Sequence, residues 1–168
     1  CGISQPTAKA WLGVLEASFI AFRLPAFHAN LRKRLTKRPK LYFHDTGLAA
    51  WLVGIREPAQ LRSHPLRGAL FETWVVSEVV KHRANRGETG GLSFYRDRSG
   101  AEVDLVIQGS DRISLVEAKS AQTAARGAFA SLERVRGELE NLAGHCDAAV
   151  VYGGDKAQQR SDARLVPW

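Results

Sequence analysis

Three observations predict an α/β fold for this chain. From Gly68 to about Arg86, Phe71, Val75, Val79 and His82 fall on one stripe at helical spacing. Downstream, β-prone runs at 92–96, 101–108 and 112–119 follow one another, the last two across the turn signal Gly109-Ser110-Asp111. A second helical segment over 122–143 then leads to an apolar run at 147–152, with a last short strand at 164–166. The order is α-β-β-β-α-β. A helical crossover between the third and fourth strands makes those two the expected parallel neighbours.

The N-terminal part reads differently. Residues 6–20 form a helix, with Ala8, Trp11, Leu12, Leu15 and Phe19 on one face and Pro6 in the first turn. Residues 19–28 and 39–44 are strand-like, and the stretch from Asn30 to Arg38 between them is a basic loop. A helix followed by a hairpin with a charged tip is what a winged helix-turn-helix shows when its first helices are missing. Asp45 is placed to cap a short helix over 46–54, which Gly54 ends. Pro58, Ser63 and Pro65 mark 56–67 as a linker. The expected organisation is therefore a partial winged helix-turn-helix over 1–55, a linker over 56–67, and an α/β domain over 68–168.

The chain has 168 residues and is 45% hydrophobic, enough for one full core with a small satellite module. It starts at Cys1 and contains no Met, which reads as a fragment of a longer protein. No signal peptide and no apolar run of spanning length is present, so a cytoplasmic protein without membrane contact is expected. Cys1 and Cys146 make neither a disulfide framework nor a zinc site, and the five histidines have no metal-ligand spacing. The net charge of +7 is unevenly placed: residues 1–70 carry a balance of +8 and residues 71–168 a balance of −1. The basic excess makes the N-terminal part the expected contact for nucleic acid. Arg32, Lys33, Arg34, Lys37, Arg38 and Lys40, a run without an acid, are the expected phosphate contacts.

The chemistry concentrates in two segments, Glu102-Val103-Asp104-Leu105-Val106-Ile107 and Leu115-Val116-Glu117-Ala118-Lys119-Ser120. With Ser110-Asp111 at the tip of a two-residue turn, Asp104 faces Glu117 and Glu102 faces Lys119. Alternation puts Val103, Leu105 and Ile107 on one face with Val116 and Ala118 across from them. The charged cluster shares the other face with Val106, Ile113 and Leu115. Both faces carry apolar residues, as in a central strand covered on two sides. Two ionised carboxylates at ~5 Å repel by roughly 3 kcal/mol at an effective dielectric near 20. Such a pair persists when one is protonated or when a cation lies between them. Carboxylate oxygens suit a hard divalent ion, Mg²⁺ or Mn²⁺. A buried structural ion-pair network is the competing account.

Asp104 followed by Glu117-Ala118-Lys119 on the next strand, within an α-β-β-β-α-β order, resembles the PD-(D/E)XK nuclease superfamily and its restriction-endonuclease-like core. The resemblance covers residues 68–152. A wider one rests on Pro39-Lys40-Leu41-Tyr42-Phe43-His44-Asp45-Thr46-Gly47-Leu48, Gly68-Ala69-Leu70-Phe71-Glu72, Tyr95-Arg96-Asp97 and Glu102-Val103-Asp104. These segments look like the C-terminal region of a prokaryotic group of AAA-superfamily ATPases, which ends in a domain of unknown function. The resemblance implies Asp104 and Glu117 as metal ligands, with the Ala118 carbonyl as a third. It implies Lys119 beside the attacking water, and the helix residue Glu72 completing the catalytic set. Glu102 is expected behind these as a supporting residue or a plain salt bridge. ATP would be bound only by a module preceding this chain, which would be a partner of the domain. Three functions are expected in turn: a Mg²⁺-dependent nuclease hydrolysing nucleic-acid phosphodiesters with a DNA-binding winged helix, a non-catalytic nucleic-acid-binding or regulatory domain, and a protein-interaction module.

Overall fold

A computed structural model describes residues 2–27, 38–97, 99–123, 127–143, 145–160 and 163–168. The first helix, α1 (Gln5–Ala17), is started by Ser4, whose side chain accepts from the Thr7 N–H at 3.3 Å. Two short strands follow, β1 (Ala21–Leu24) and β2 (Lys40–Phe43), paired antiparallel with Phe22 opposite Tyr42. Asp45 caps α2 (Thr46–Leu52), accepting from the Leu48 N–H at 2.8 Å. A helical turn, α3 (Pro58–Leu61), leads to the long helix α4 (Arg67–Asn85). Then come β3 (Leu92–Arg96), β4 (Glu102–Gln108), β5 (Ile113–Lys119), α5 (Gly127–Ala143), β6 (Cys146–Tyr152), β7 (Gln158–Gln159) and β8 (Arg164–Pro167).

Six strands form one mixed sheet in the order β3-β4-β5-β6-β8-β7. The β5–β6 pair is parallel, as the helical crossover requires. The β4–β5 hairpin pairs Leu105 with Val116, Val106 with Leu115 and Gln108 with Ile113, the register expected from a Ser110-Asp111 turn. Helix α5 covers one face, where Leu132, Val135 and Leu139 pack with Val103, Val106, Leu115 and Val150. Helix α4 covers the other, where Val75 and Val76 pack with Leu105, Val116, Ala118 and Val151. Both faces of β4 and β5 are thus buried, which accounts for their nearly continuous apolar runs.

Three features differ from the sequence expectation. The first is the face of Val103. It lies in the core under α5 with Val106, while Leu105 lies under α4. The β3–β4 register slips between Ser93↔Val106 and Tyr95↔Val103, so Asp104 and Leu105 together oppose Phe94. This is a β-bulge, which breaks strict alternation and turns the side chain at its position.

The second is the linker. Leu61 packs with Ala49, Ile55 and Leu70, and Leu24, Ala26 and Tyr42 share the core beneath α4. Residues 56–67 therefore do not separate two cores. The chain after β1 docks on the outer edge of β3 through an Ala26–Phe94 bridge. There the Phe94 N–H donates to Pro25 O at 3.0 Å and the Phe27 N–H to Phe94 O at 2.6 Å. That covers an edge which would otherwise present free backbone groups.

The third is α1, which buries none of its residues; Trp11 on its expected core face is 59% exposed.

Gly91 marks a close approach. Its φ is +72°, and a Cβ there would lie 2.8 Å from Gln108 O, the backbone of the residue whose N–H donates to Gly91 O. Gly91→Ala is expected to cost about 1–2 kcal/mol in urea unfolding. Gly127→Ala, where an added Cβ would meet nothing within 4 Å, is the matched control and should cost much less.

Candidate functional site

The end of the β4–β5 hairpin away from its turn opens into a cleft of about 670 Å³ between the two helical layers. Asp104 and Glu117 line it, each only 8% exposed. The bulge delivers Asp104, and the straight run of β5 delivers Glu117 and Lys119 two residues apart on one face. Asp104 Oδ2 accepts from the Ala118 N–H at 3.0 Å. Lys119 Nζ lies 2.6 Å from Glu117 Oε1. Glu117 Oε2 is buried and has no hydrogen-bond partner among the described residues.

Lys40 enters this cleft from β2. Its Nζ lies 2.7 Å from Glu102 Oε1, 2.8 Å from Glu72 Oε1 and 3.4 Å from Asp104 Oδ1. Tyr42, two residues on and so on the same side of β2, donates its hydroxyl to Glu72 Oε1 at 2.5 Å. Arg96 donates to both Glu102 oxygens at 2.7–3.0 Å, sharing Oε1 with Lys40.

The electrostatics follow from this arrangement. Burial raises the Glu117 carboxyl to about 7, with the Asp104 charge pushing the same way and Lys119 pulling against both. Asp104 is raised by burial and by Glu72, against the Ala118 N–H and the two lysines. Burial would lift Glu102 as well, but its hydrogen bonds to Lys40 and Arg96 win and hold it below the usual carboxylate range. Lys40 is raised despite its burial, because Glu102 and Glu72 hold the ammonium. Tyr42 is raised by burial and the neighbouring Glu72 charge, so it stays a donor.

Asp104, Glu117, Lys119, Glu72 and Glu102 come together in one cleft, with several positions different from those expected. Glu102 meets Lys40 and Arg96 rather than Lys119. Beyond Leu105↔Val116 the paired register ends, and the bulge region replaces the straight hairpin that would have set Glu102 opposite Lys119. Glu72 is not in the first turn of α4, so it is not a helix-dipole partner there. What Ala118 offers the cluster is its N–H, donated to Asp104. Lys40, expected on phosphates with the basic loop, is turned inward with its side chain 20% exposed. Of that loop, Arg32, Lys33, Arg34 and Lys37 lie outside the described residues, and Arg38 is exposed.

Sequence reasoning missed Tyr42 and Arg96 and misplaced Lys40. A signal existed: Lys40 and Tyr42 alternate on a short strand, so a buried Tyr42 draws Lys40 to the same side. Among the described residues, no three His, Cys, Asp or Glu side chains are already gathered around one ion position. The Lys40 ammonium stands where three of the carboxylates converge.

Residues 67–168, more than half of the chain, match the family described as "Domain of unknown function (DUF4143)". The chain belongs to this family. Residues 1–59 match a second family, "Domain of unknown function (DUF8612)". Curated relatives include the uncharacterized proteins Mb2031c of Mycobacterium bovis and Rv2008c of Mycobacterium tuberculosis. Each is 29% identical over 165 residues, covering 95% of this chain and 34% of the relative. The chain thus spans about a third of the length of these relatives. Within the DUF4143 match lie Glu72, Arg96, Glu102, Asp104, Glu117 and Lys119, whereas Lys40 and Tyr42 fall within the DUF8612 match. The cleft therefore draws on both matched segments. Among the described residues, no helix is long and apolar enough to cross a membrane.

Proposed function

We propose that the cleft is a divalent-cation-dependent phosphodiester hydrolysis site acting on nucleic acid, with DNA the expected substrate. Glu117 Oε2 carries this reading: it is buried and without a partner, beside Asp104 and Lys119. Leaving a carboxylate oxygen buried without a donor costs on the order of 1–3 kcal/mol or more, and a cation removes that cost. The donor set fits such an ion, because carboxylate oxygens are hard ligands for Mg²⁺ or Mn²⁺. Asp104 and Glu117 would hold it. A divalent ion bound there supplies acidity to a coordinated water and withdraws charge from a phosphodiester oxygen.

The remaining work falls to this chain's own side chains. The Ala118 N–H and the Lys40 ammonium fix the two oxygens of Asp104. The Lys119 side chain is 42% exposed at the mouth of the cleft, so its ammonium can meet both the attacking water and the charge that builds on the phosphate oxygens. Glu72 receives Tyr42 and Lys40, and so ties β2 to α4 beside the site.

We place this site in the C-terminal part of an AAA-family ATPase. Support comes from the resemblance of residues 39–48, 68–72 and 95–104 to that group. The DUF4143 membership and relatives about three times longer than this chain are consistent with it. ATP would then act through a module outside this chain. The test is cleavage of supercoiled plasmid and single-stranded DNA in Mn²⁺, Mg²⁺ or chelator. Nicking that needs the divalent ion is the expected result.

A second reading, a non-catalytic nucleic-acid-binding or regulatory domain, is favoured by Lys40. Its ammonium already offsets carboxylate charge in the cleft without an ion. On that reading, binding depends on the basic loop. With ~4 phosphate contacts, log affinity falls against log salt with a slope near −3.6. Fluorescence anisotropy between 50 and 200 mM salt measures it, and a flat response excludes phosphate contact of that extent.

A further inference from the structure

We propose that Lys40 is the built-in second cation of this site, so that the cleft takes one divalent ion and not two. The inference rests on the divalent-cation reading above and deepens it. Sites for phosphoryl chemistry often use two metal ions, which share the charge of the attacking and leaving oxygens. Here four carboxylates line one cleft: Glu72, Glu102, Asp104 and Glu117. Carboxylate oxygens are the ligands such ions take. The Lys40 ammonium, however, contacts three of the four at 2.7, 2.8 and 3.4 Å. An ion bound to those same oxygens at ~2.0–2.1 Å would need the space the ammonium fills. The place left open is at Glu117 Oε2, which has no hydrogen-bond partner among the described residues and whose residue is more than nine-tenths buried and lines the same cleft.

The charge balance points the same way. Arg96 neutralises Glu102. Glu72, Asp104 and Glu117 then face Lys40 and Lys119, leaving one negative charge. One divalent ion converts this to one positive charge, which a single phosphodiester anion cancels. A second divalent ion would leave two positive charges uncompensated beside the buried Asp104 and Glu117, where charge is costly. Because Lys40 comes from β2 and its carboxylates from α4 and β4, docking of β2 decides how many ions the site accepts.

The experiment is Mn²⁺ titration of the chain by calorimetry, with electron paramagnetic resonance of the bound ion. Wild type is expected to bind one Mn²⁺ with the spectrum of an isolated ion. Lys40→Gln, confirmed folded by circular dichroism, should bind two, and the spectrum should broaden through coupling of neighbouring ions. Lys40→Arg, which keeps the charge, should return to one. Tyr42→Phe, which loosens Glu72 without removing the ammonium, should also stay at one. Two ions in wild type, or one ion in a folded Lys40→Gln, overturns the proposal while leaving the divalent site intact. No Mn²⁺ bound by any variant overturns the divalent reading and this inference together. If Lys40→Gln does not fold, Lys40→Met replaces it, and the wild-type count alone can still refute the proposal.

Discussion

Lys119→Ala is expected to lower divalent-dependent DNA cleavage by at least ~10²-fold while leaving the chain folded. The lysine side chain is 42% exposed and packs into neither core, so its loss removes little burial. Its chemical loss is larger. No other ammonium contacts Glu117 among the described residues, and Lys40 is held by Glu72, Glu102 and Asp104. The variant also leaves both Glu117 oxygens without a lysine partner, which favours the neutral acid and weakens a cation ligand. Rates with Mn²⁺ and Mg²⁺ should therefore both fall, and added salt should not restore them. Unchanged cleavage in Lys119→Ala at equal fold content would remove this cleft as the source of activity. A wild type that binds DNA but does not cut it would favour the regulatory reading.

The second large effect is on stability against pH in chelator. Glu117 has a folded value of about 7 against about 4.5 for an ordinary glutamate. Between those two values the folded chain holds a proton that the unfolded chain has released. Stability must therefore fall as pH rises from about 4.5 to 7, and it levels off above that. The raised carboxyl therefore withholds stability from the folded state at pH 8. Asp104, also raised by burial and by Glu72, adds to the slope in the same direction. Glu117→Gln removes the ionisation, so the variant should exceed wild type in stability at pH 8 and approach it near pH 4.5. Urea unfolding at the two pH values measures this, and equal pH dependence in the two proteins would refute it. Adding Mn²⁺ at pH 8 should stabilise wild type and leave the variant nearly unmoved, because binding to the folded state alone raises stability by mass action.

Much of the site was readable locally. The two-residue turn at Ser110-Asp111 sets the hairpin pairing, because turn length and register are linked over a few residues. Period-two spacing puts Glu117 and Lys119 side by side, and Asp45 announces its helix by a hydrogen bond three residues away. The helix-strand order and the parallel β5–β6 pair follow from connection length and handedness. Each of these depends on interactions between near neighbours, which is the information a sequence displays directly.

The rest depended on which surfaces meet. The bulge opposite Phe94 exists where the chain after β1 docks on β3, and alternation within β4 gives no sign of it. Lys40 looks like one more cation at the end of a basic run. It becomes a half-buried counter-ion only because β2 packs beside α4, 32 residues from Glu72 and 64 from Asp104. The stripe on α1 reads as a core face, yet none of its residues is fully buried, and Trp11 and Phe19 stand exposed. The sequence by itself determined the main helices and strands of the sheet, their order, and the hairpin register beside its turn, and it put Asp104, Glu117 and Lys119 together. Only the tertiary structure decided that a lysine from the other segment closes one side of that set, because charge pairing across long separations appears only after the cores have packed.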